Sequence, residues 1–439
     1  MAASKQQSSQ ALRRPTQAVI LAGGRGERLR PWTDIQPKPM LEIHGKPFLE
    51  YQLELLRDQG ITRVLLLLGY LAETVQDYFG NGSRWGLKIE YSVTPVEDNT
   101  GRRLKHALPL LDDCFLLLYC DNYWPMRLDK MWQHFLQTGA RALLTVYANH
   151  DAYTRDTLQV DNEGFIAVYD KLRQAPGLKG TEISYGIFPK ELVASLPDEN
   201  VSFEETLYPV LARHHQLAAF VTHHRYYSVG SAQRLPLTEA FLARRQAIIL
   251  DRDGVLNRKA PRAEYVRRWD EFNWLPGARD ALQKLRRAGY RVIVVSNQAG
   301  IARGAMTEAD LLDIHRCMVR EVSQSGGHID AIYYCPHNWD DGCDCRKPKP
   351  GMLFQAQRDF NLDLSRTPFV GDDERDGQAA DAAGCPSILV SENNTLLDVV
   401  NSLLAQRKPR TQRTRKSEIR ISPVLRSTAE GGKSETIIK

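Results

Sequence analysis

The sequence predicts an α/β chain folded as two successive three-layer domains. Apolar strand-like runs alternate with helical patterns for most of the length, and the alternation restarts after a polar, arginine-containing stretch from Ser231 to Gln246. A chain of 439 residues also exceeds one domain of about 150 residues. The boundaries expected are 16–242 for the first domain, 243–404 for the second and 405–439 for a basic tail.

The first cycle shows the pattern. AVILAGG reads as a buried strand, PFLEYQLELLRDQG as a helix, and ITRVLLLLG as the next strand. Pro47 suits the helix's first turn, Phe48, Tyr51 and Leu55 share a face, and Gly60 stands where a left-handed cap belongs. The second cycle opens with AIILDRDGV. No repeat of 20 to 50 residues links the halves, so they read as different domains.

Composition narrows the class. An apolar content of 42% is that of a soluble globular chain and excludes collagen, coiled coil and wholesale disorder. No apolar run has the ~18–20 residues of a membrane helix, and the polar start lacks a secretory hydrophobic stretch, so the expected compartment is the cytoplasm. From Arg407 onward ten Lys/Arg face three Glu, which leaves about −2 for everything before. That tail has few aliphatic and no aromatic residues and is expected to be disordered. A solubilising extension is preferred to an arm for nucleic acid or a membrane surface.

In the second half three apolar runs end in polar chemistry: AIIL in Asp251, VIVV in Ser296, FVG in Asp372. Carboxyl ends of parallel strands converge, and open α/β sheets place their sites there. Asp251, Asp253 and Asp372 in one cleft repel one another unless a hard cation such as Mg²⁺ is bound. DRDGV, SNQAG, the lysine of CRKPKPG and GDDERD together resemble the haloacid dehalogenase superfamily of phosphatases. Within it, residues 246–400 are most similar to heptose bisphosphate and histidinol phosphate phosphatases. The resemblance implies that Asp251 is the nucleophile and Asp253 the general acid and base. It further implies that Ser296 and Lys347 hold the phosphoryl group, that Asn297 lies in the substrate site, and that Arg346 grips the substrate's distal part. Mg²⁺ would sit on Asp251, the backbone carbonyl of Asp253 and Asp372, with Asp373 nearby. Val255 stands where many relatives carry threonine.

Cys335, His337, Cys343 and Cys345 are separated by one, five and one residues. Three thiolates and an imidazole on one short loop suit a closed, structural Zn²⁺ site, as in the same phosphatase subgroup. Arg346 and Lys347 follow directly, so the ion would position cations rather than do chemistry. Cys114, Cys120, Cys317 and Cys385 read as ordinary cysteines.

In the first half AVILAGG runs into GGRGERLRPWT and QPKPMLEIHGKP. Clustered glycines let backbone N–H groups approach a phosphate, and Arg25, Arg28 and Lys38 can neutralise it. These motifs resemble the sugar 1-phosphate nucleotidyltransferases over residues 16–235. By that resemblance Gly23, Gly24, Arg25, Gly26, Arg28 and Lys38 hold the triphosphate, and Asp121 binds Mg²⁺. Lys171, Glu182 and Gly186 would line the sugar phosphate pocket. Two departures stand out: Ser228, in YYSVGS, occupies a place the family usually gives to a second aspartate, and Arg102 and Arg103 replace small residues.

A phosphatase acting on a sugar bisphosphate would leave the sugar 1-phosphate that a nucleotidyltransferase consumes. The two resemblances therefore imply conversion of D-glycero-D-manno-heptose 1,7-bisphosphate to the 1-phosphate and then to an NDP-heptose, with GDP-heptose expected. The partners implied are sugar phosphates and a nucleoside triphosphate, without nucleic acid or membrane. Histidinol phosphate as substrate, and a first domain that binds a sugar nucleotide without catalysis, remain open alternatives.

Overall fold

Residues 12–261, 264–406 and 437–438 are described by the computed structural model, and the chain divides into two compact units, Met1–Ala243 and Arg244–Lys439. In the first unit β1 (Gln17–Ala22), β2 (Arg63–Leu68), β3 (Lys88–Val93), β4 (Cys114–Tyr119), β5 (Ala142–Tyr147), β6 (Thr181–Pro189) and β7 (Leu217–Thr222) form one sheet in the order β7-β5-β6-β4-β1-β2-β3. Side-chain alternation buries both faces: Ala18, Ile20 and Ala22 of β1 enter one core, Val19 and Leu21 the other. Helix α1 (Phe48–Asp58) buries Phe48, Leu49, Tyr51, Leu53, Leu55 and Leu56. It ends at Gly60, whose φ of +81° is left-handed and whose N–H donates to Arg57.

The first sheet is mixed. β6 runs antiparallel to β4 and β5, because an antiparallel pair, Leu158–Val160 with Ile166–Tyr169, stands between β5 and β6 and returns the chain from the opposite direction. β1 is flanked by β2 on one side and β4 on the other, so the strand order reverses there. The crevice between the carboxyl ends of β1 and β4 holds the glycine loop and Asp121.

In the second unit β8 (Ala247–Leu250), β9 (Arg291–Asn297), β10 (Ala331–Cys335), β11 (Phe369–Gly371), β12 (Ser387–Leu389) and β13 (Ile437–Ile438) are all parallel, in the order β12-β11-β8-β9-β10-β13. Ile248 and Leu250 face one core, Ala247 and Ile249 the other. Helix α2 (Ala278–Arg287) lies between β8 and β9, α3 (Glu308–Gln324) between β9 and β10, and α4 (Gly351–Phe360) between β10 and β11. Helix α5 (Glu374–Ala383) lies between β11 and β12, and α6 (Leu396–Ala405) follows β12. β9 and β11 flank β8, so this order also reverses at the strand bearing Asp251. The expected disordered tail falls mostly on residues 407–436, outside the described residues; Ile437–Ile438 depart from it by pairing with β10. Among the described residues no helix is long and apolar enough to cross a membrane.

Candidate active sites

Three strand ends of the second unit meet as their sequence positions require. Asp251 directly follows β8, Ser296 is the penultimate residue of β9, and Asp372 directly follows β11. Lys347 Nζ, whose side chain is 3% exposed, stands 2.9 Å from Asp251 Oδ1 and 2.7 Å from Asp376 Oδ1. Burial pushes the Asp251 carboxyl up to about 7, against the Lys347 ammonium and with the neighbouring Asp376 and Asp253. Burial works to lower Lys347, but Asp251 and Asp376 outweigh it and the net shift is upward.

Asp253 turns toward its own neighbours. The fully buried Arg252 donates to both its oxygens at 2.9 and 2.8 Å, while Asn257 and Gln298 donate at 2.9 and 2.8 Å. Burial opposes ionisation here, yet these donors hold the carboxyl below its usual range. Gln298 also donates to Ser296 Oγ at 2.7 Å. Asn297 clamps Lys347 by accepting from its N–H at 3.1 Å and donating to its carbonyl at 3.0 Å. Gly254 has a φ of +91°, and a Cβ there would stand 2.2 Å from Asp372 Oδ2, so glycine permits the aspartate's approach.

The metal donors differ from the expected set. Carboxylate oxygens of Asp251, Asp372 and Asp376 lie within 4.8 Å of one another, and Asp372 Oδ1 is buried without a hydrogen-bond partner. Hard oxygen donors with one lone pair unspent fit Mg²⁺. Asp373 instead caps α5 and pairs with Arg375 at 2.9 Å, which holds its carboxyl well below the usual range. Arg346 also departs from expectation: it donates to the His337 carbonyl at 3.3 Å and does not line the cleft. Two residues escaped the sequence reading. Asp376 sits at the third position of α5 in a capping box, so its spacing signals a helix start rather than a site. Lys259, 2.8 Å from Asp372 and 3.4 Å from Asp373, carries no motif at all.

The sulfur loop closes as its spacing implies. Cys335 Sγ lies 3.7 Å from Cys343 Sγ and 3.6 Å from His337 Nδ1, which is 3.2 Å from Cys345 Sγ. A tetrahedral Zn²⁺ bound at ~2.3 Å to sulfur and ~2.0 Å to nitrogen sets edges of about 3.5–3.8 Å. The four side chains fit it, and the three cysteines form no disulfide.

In the first unit Lys38 Nζ is 3.0 Å from Asp121 Oδ2. Burial works to lower Lys38, but Asp121 outweighs it and raises it. A Cβ on Gly230 would stand 3.0 Å from Ser228 Oγ, 3.4 Å from Asp121 and 3.6 Å from Arg28, so these residues converge. Ser228 is buried and its hydroxyl accepts from the Gly230 N–H at 2.9 Å. Gly26 has a φ of +68°, Arg25 pairs with Glu97 at 3.4 Å, and Gly23 and Gly24 complete the loop after β1. The buried Arg103 reaches that loop. It donates to the carbonyls of Leu68, Pro95 and Val96 at 2.8, 2.8 and 3.1 Å, and to Gly23 at 3.4 Å. Lys171 and Glu182 line a cavity of about 560 Å³ with Arg155, Arg173 and Arg234. Burial pushes Glu182 up to about 7. Gly186 is a correction: a Cβ there would stand 2.8 Å from the Leu143 carbonyl, so it serves sheet packing between β4 and β5 and is not on that cavity.

These two sites define the class. Residues 17–156 match the Nucleotidyl transferase family and residues 344–411 the HAD-hydrolase-like family, so the chain joins a nucleotidyltransferase-type domain to a haloacid dehalogenase-type phosphatase domain. Over 147 residues it is 47% identical to the D-glycero-beta-D-manno-heptose-1,7-bisphosphate 7-phosphatase of Bordetella bronchiseptica, covering 34% of this chain and 81% of that protein. The Pseudomonas aeruginosa protein of the same name is 45% identical over 146 residues, 33% of this chain and 81% of its own. The chain belongs to this phosphatase family. HddC from Yersinia pseudotuberculosis, a solved structure, is 25% identical with a TM-score of 0.44, covering 51% of this chain and 97% of that one.

Proposed function

We propose that the chain is a bifunctional enzyme of nucleotide-activated heptose synthesis. Its second unit removes the 7-phosphate of D-glycero-D-manno-heptose 1,7-bisphosphate, and its first transfers a nucleotidyl group, GMP from GTP, to the resulting 1-phosphate. The observation that carries this reading is the buried Asp251 held 2.9 Å from Lys347, beside Ser296 and an unpartnered Asp372 oxygen. The relatives named for this bisphosphate support the substrate.

Asp251 Oδ attacks phosphorus, the ester P–O bond breaks, and the departing sugar oxygen takes a proton from Asp253. Asp253 must first leave the Arg252, Asn257 and Gln298 donors that hold it ionised and take up that proton. Water then attacks the aspartyl phosphate, returning a proton to Asp253 and releasing phosphate. Ser296 and Lys347 hold the phosphoryl oxygens. Mg²⁺, held by Asp251, Asp372, Asp376 and the Asp253 carbonyl, supplies charge neutralisation when bound. Cys335, His337, Cys343 and Cys345 would hold Zn²⁺, which when bound would fix the loop that presents Lys347. In the first unit an oxygen of the sugar 1-phosphate attacks the α-phosphorus and pyrophosphate leaves, with Arg25, Arg28, Lys38 and the glycine loop on the triphosphate. Lys171 and Glu182 hold the sugar phosphate, and Asp121 is the Mg²⁺ ligand. The cytoplasm, with its nucleoside triphosphates and reduced thiols, is the compartment this reading requires.

The Lys38–Asp121 pair and the Ser228 hydroxyl engaged by Gly230 favour a second reading of the first unit alone, as a sugar nucleotide binder without transfer. Mass spectrometry of products from the bisphosphate, Mg²⁺, Zn²⁺ and mixed nucleoside triphosphates tests both. An NDP-heptose supports two activities and identifies the base; heptose 1-phosphate alone leaves the binder. Asp251→Asn is expected to abolish phosphate release while nucleotidyl transfer from supplied heptose 1-phosphate persists. Loss of both in a folded protein refutes separate sites.

A further inference from the structure

Strands β1, β2 and β3 of the first unit are adjacent and parallel, so their carboxyl ends lie side by side. Just past those ends, at Gly23, Gly69 and Thr94, the side chain of Arg103 fills the gap. A Cβ on Gly23 would stand 2.3 Å from its Cζ, and a Cβ on Gly69 would stand 2.8 Å from both its Nη atoms. Both positions must lack a side chain for the guanidinium to enter. The helix Thr100–His106 holds it there: Thr100 Oγ1 donates to the buried Glu204 at 2.9 Å, and the Gly101 N–H to the Val201 carbonyl at 3.0 Å.

Its hydrogen-bond partners are all neutral. Besides the carbonyls of Leu68, Pro95, Val96 and Gly23, Arg103 donates to Thr94 Oγ1 at 2.6 Å. Asp98 and Glu97 are engaged elsewhere, with Arg102 at 3.5 Å and Arg25 at 3.4 Å, and no described carboxylate forms an ion pair with Arg103. Burial pulls the guanidinium down by more than those two carboxylates raise it, which marks a charge only partly compensated. A guanidinium keeps its proton all the same. The fold therefore buries a permanent cation behind the glycine loop without an anion to match it, an arrangement that a bound polyanion stabilises.

The same contacts orient the backbone. In a trans peptide the carbonyl and the following N–H point opposite ways. The carbonyls of Gly23, Pro95 and Val96 turn toward Arg103, so the N–H groups of Gly24, Val96 and Glu97 turn away from it. None of the three donates to a described residue. Gly24 opens onto free space, and the pairing of Arg25 with Glu97 shows that the loop and the 95–97 turn face each other. Unspent backbone donors in front of a fixed positive charge suit phosphate oxygens.

We infer that Arg103 is a positioning residue for the triphosphate: an internal cation that braces the glycine loop and the 95–97 turn, and whose counter-charge the bound phosphates supply. The inference rests on the reading of the first unit as a nucleotidyltransferase.

The test is calorimetric binding to the full chain with Mg²⁺ present. GTP, ATP, UTP, CTP and dTTP are compared, and the tightest is carried forward with its own monophosphate. Arg103→Gln keeps two N–H donors for the carbonyls and removes the charge. Its preference for triphosphate over monophosphate is expected to fall about 10-fold or more, and Arg103→Lys to recover most of it. A merely structural role weakens both nucleotides alike, so an unchanged preference overturns the inference. So does an Arg103→Lys preference as low as that of Arg103→Gln. Should Arg103→Gln not fold, hydrogen exchange on the wild-type chain decides: the Gly24 and Glu97 amides are expected to slow together on adding the triphosphate, and no slowing at Glu97 overturns the bracing. A wild-type chain that binds none of the five triphosphates removes the nucleotidyltransferase reading itself, and the role of Arg103 with it.

Discussion

Lys347→Met isolates the central electrostatic feature of the second unit. The ammonium lies 2.9 and 2.7 Å from two buried carboxylates. At an effective dielectric of about 20, each attraction amounts to about 6 kcal/mol, most of it offset by the desolvation of three charged groups. Removing the cation leaves two carboxylates unpaired in the interior, and the loss expected near pH 8 is about 3–5 kcal/mol. The pH dependence has a definite sign. Asp251 already titrates at about 7 with the lysine present, and without it the folded-state value rises further above the ~3.9 of an unfolded aspartate. A carboxyl raised in the folded state is neutral and unpenalised below the unfolded value, and its penalty grows as pH rises through the folded one. The variant's deficit should therefore be small near pH 4 and full near pH 8. Native-state hydrogen exchange along a urea series, read on amides of β8 and β9 without added Mg²⁺, measures the second unit alone. A deficit under about 1 kcal/mol at pH 8, or a larger one at pH 4, would refute the reasoning.

Two further outcomes can be checked. Cys343→Ser should lower zinc content from about one equivalent to well under it and reduce both stability and phosphatase kcat/KM; chelation without effect on stability would count against the metal loop. Glu182 is raised to about 7 by burial, so wild type should lose stability relative to Glu182→Gln as pH rises from about 4 through 7. The thermal midpoints should coincide at pH 4 and separate by pH 8, and parallel curves would show that the carboxyl is solvated.

Much of the site was legible because its chemistry sits at strand ends. Asp251, Ser296 and Asp372 each follow an apolar run, and parallel pairing brings such ends together without knowledge of any loop. The Cys/His cluster was legible for a different reason: eleven residues, Cys335 to Cys345, carry all four side chains, so the chain's short reach constrains them. Gly186 was misassigned since a glycine in a strand signals close approach of some kind, and the sequence does not say whether to a ligand or, as here, to the Leu143 carbonyl.

What the sequence determined by itself is the α/β alternation, the order of the two chemistries and the residues at the strand ends, all of which depend on local pattern and on spacing within a motif. Only the tertiary structure decided the partners. Lys259 meets Asp372 across 113 positions of chain, and Arg103 meets Gly23 across 80. Asp373 and Asp376 share one helix start in a reciprocal capping box and both line the cleft, but the buried Lys347 pairs with Asp376 while Arg375 pairs with Asp373. Such choices turn on which buried charge finds compensation in three dimensions, and desolvation makes that balance a property of the packed site rather than of any segment.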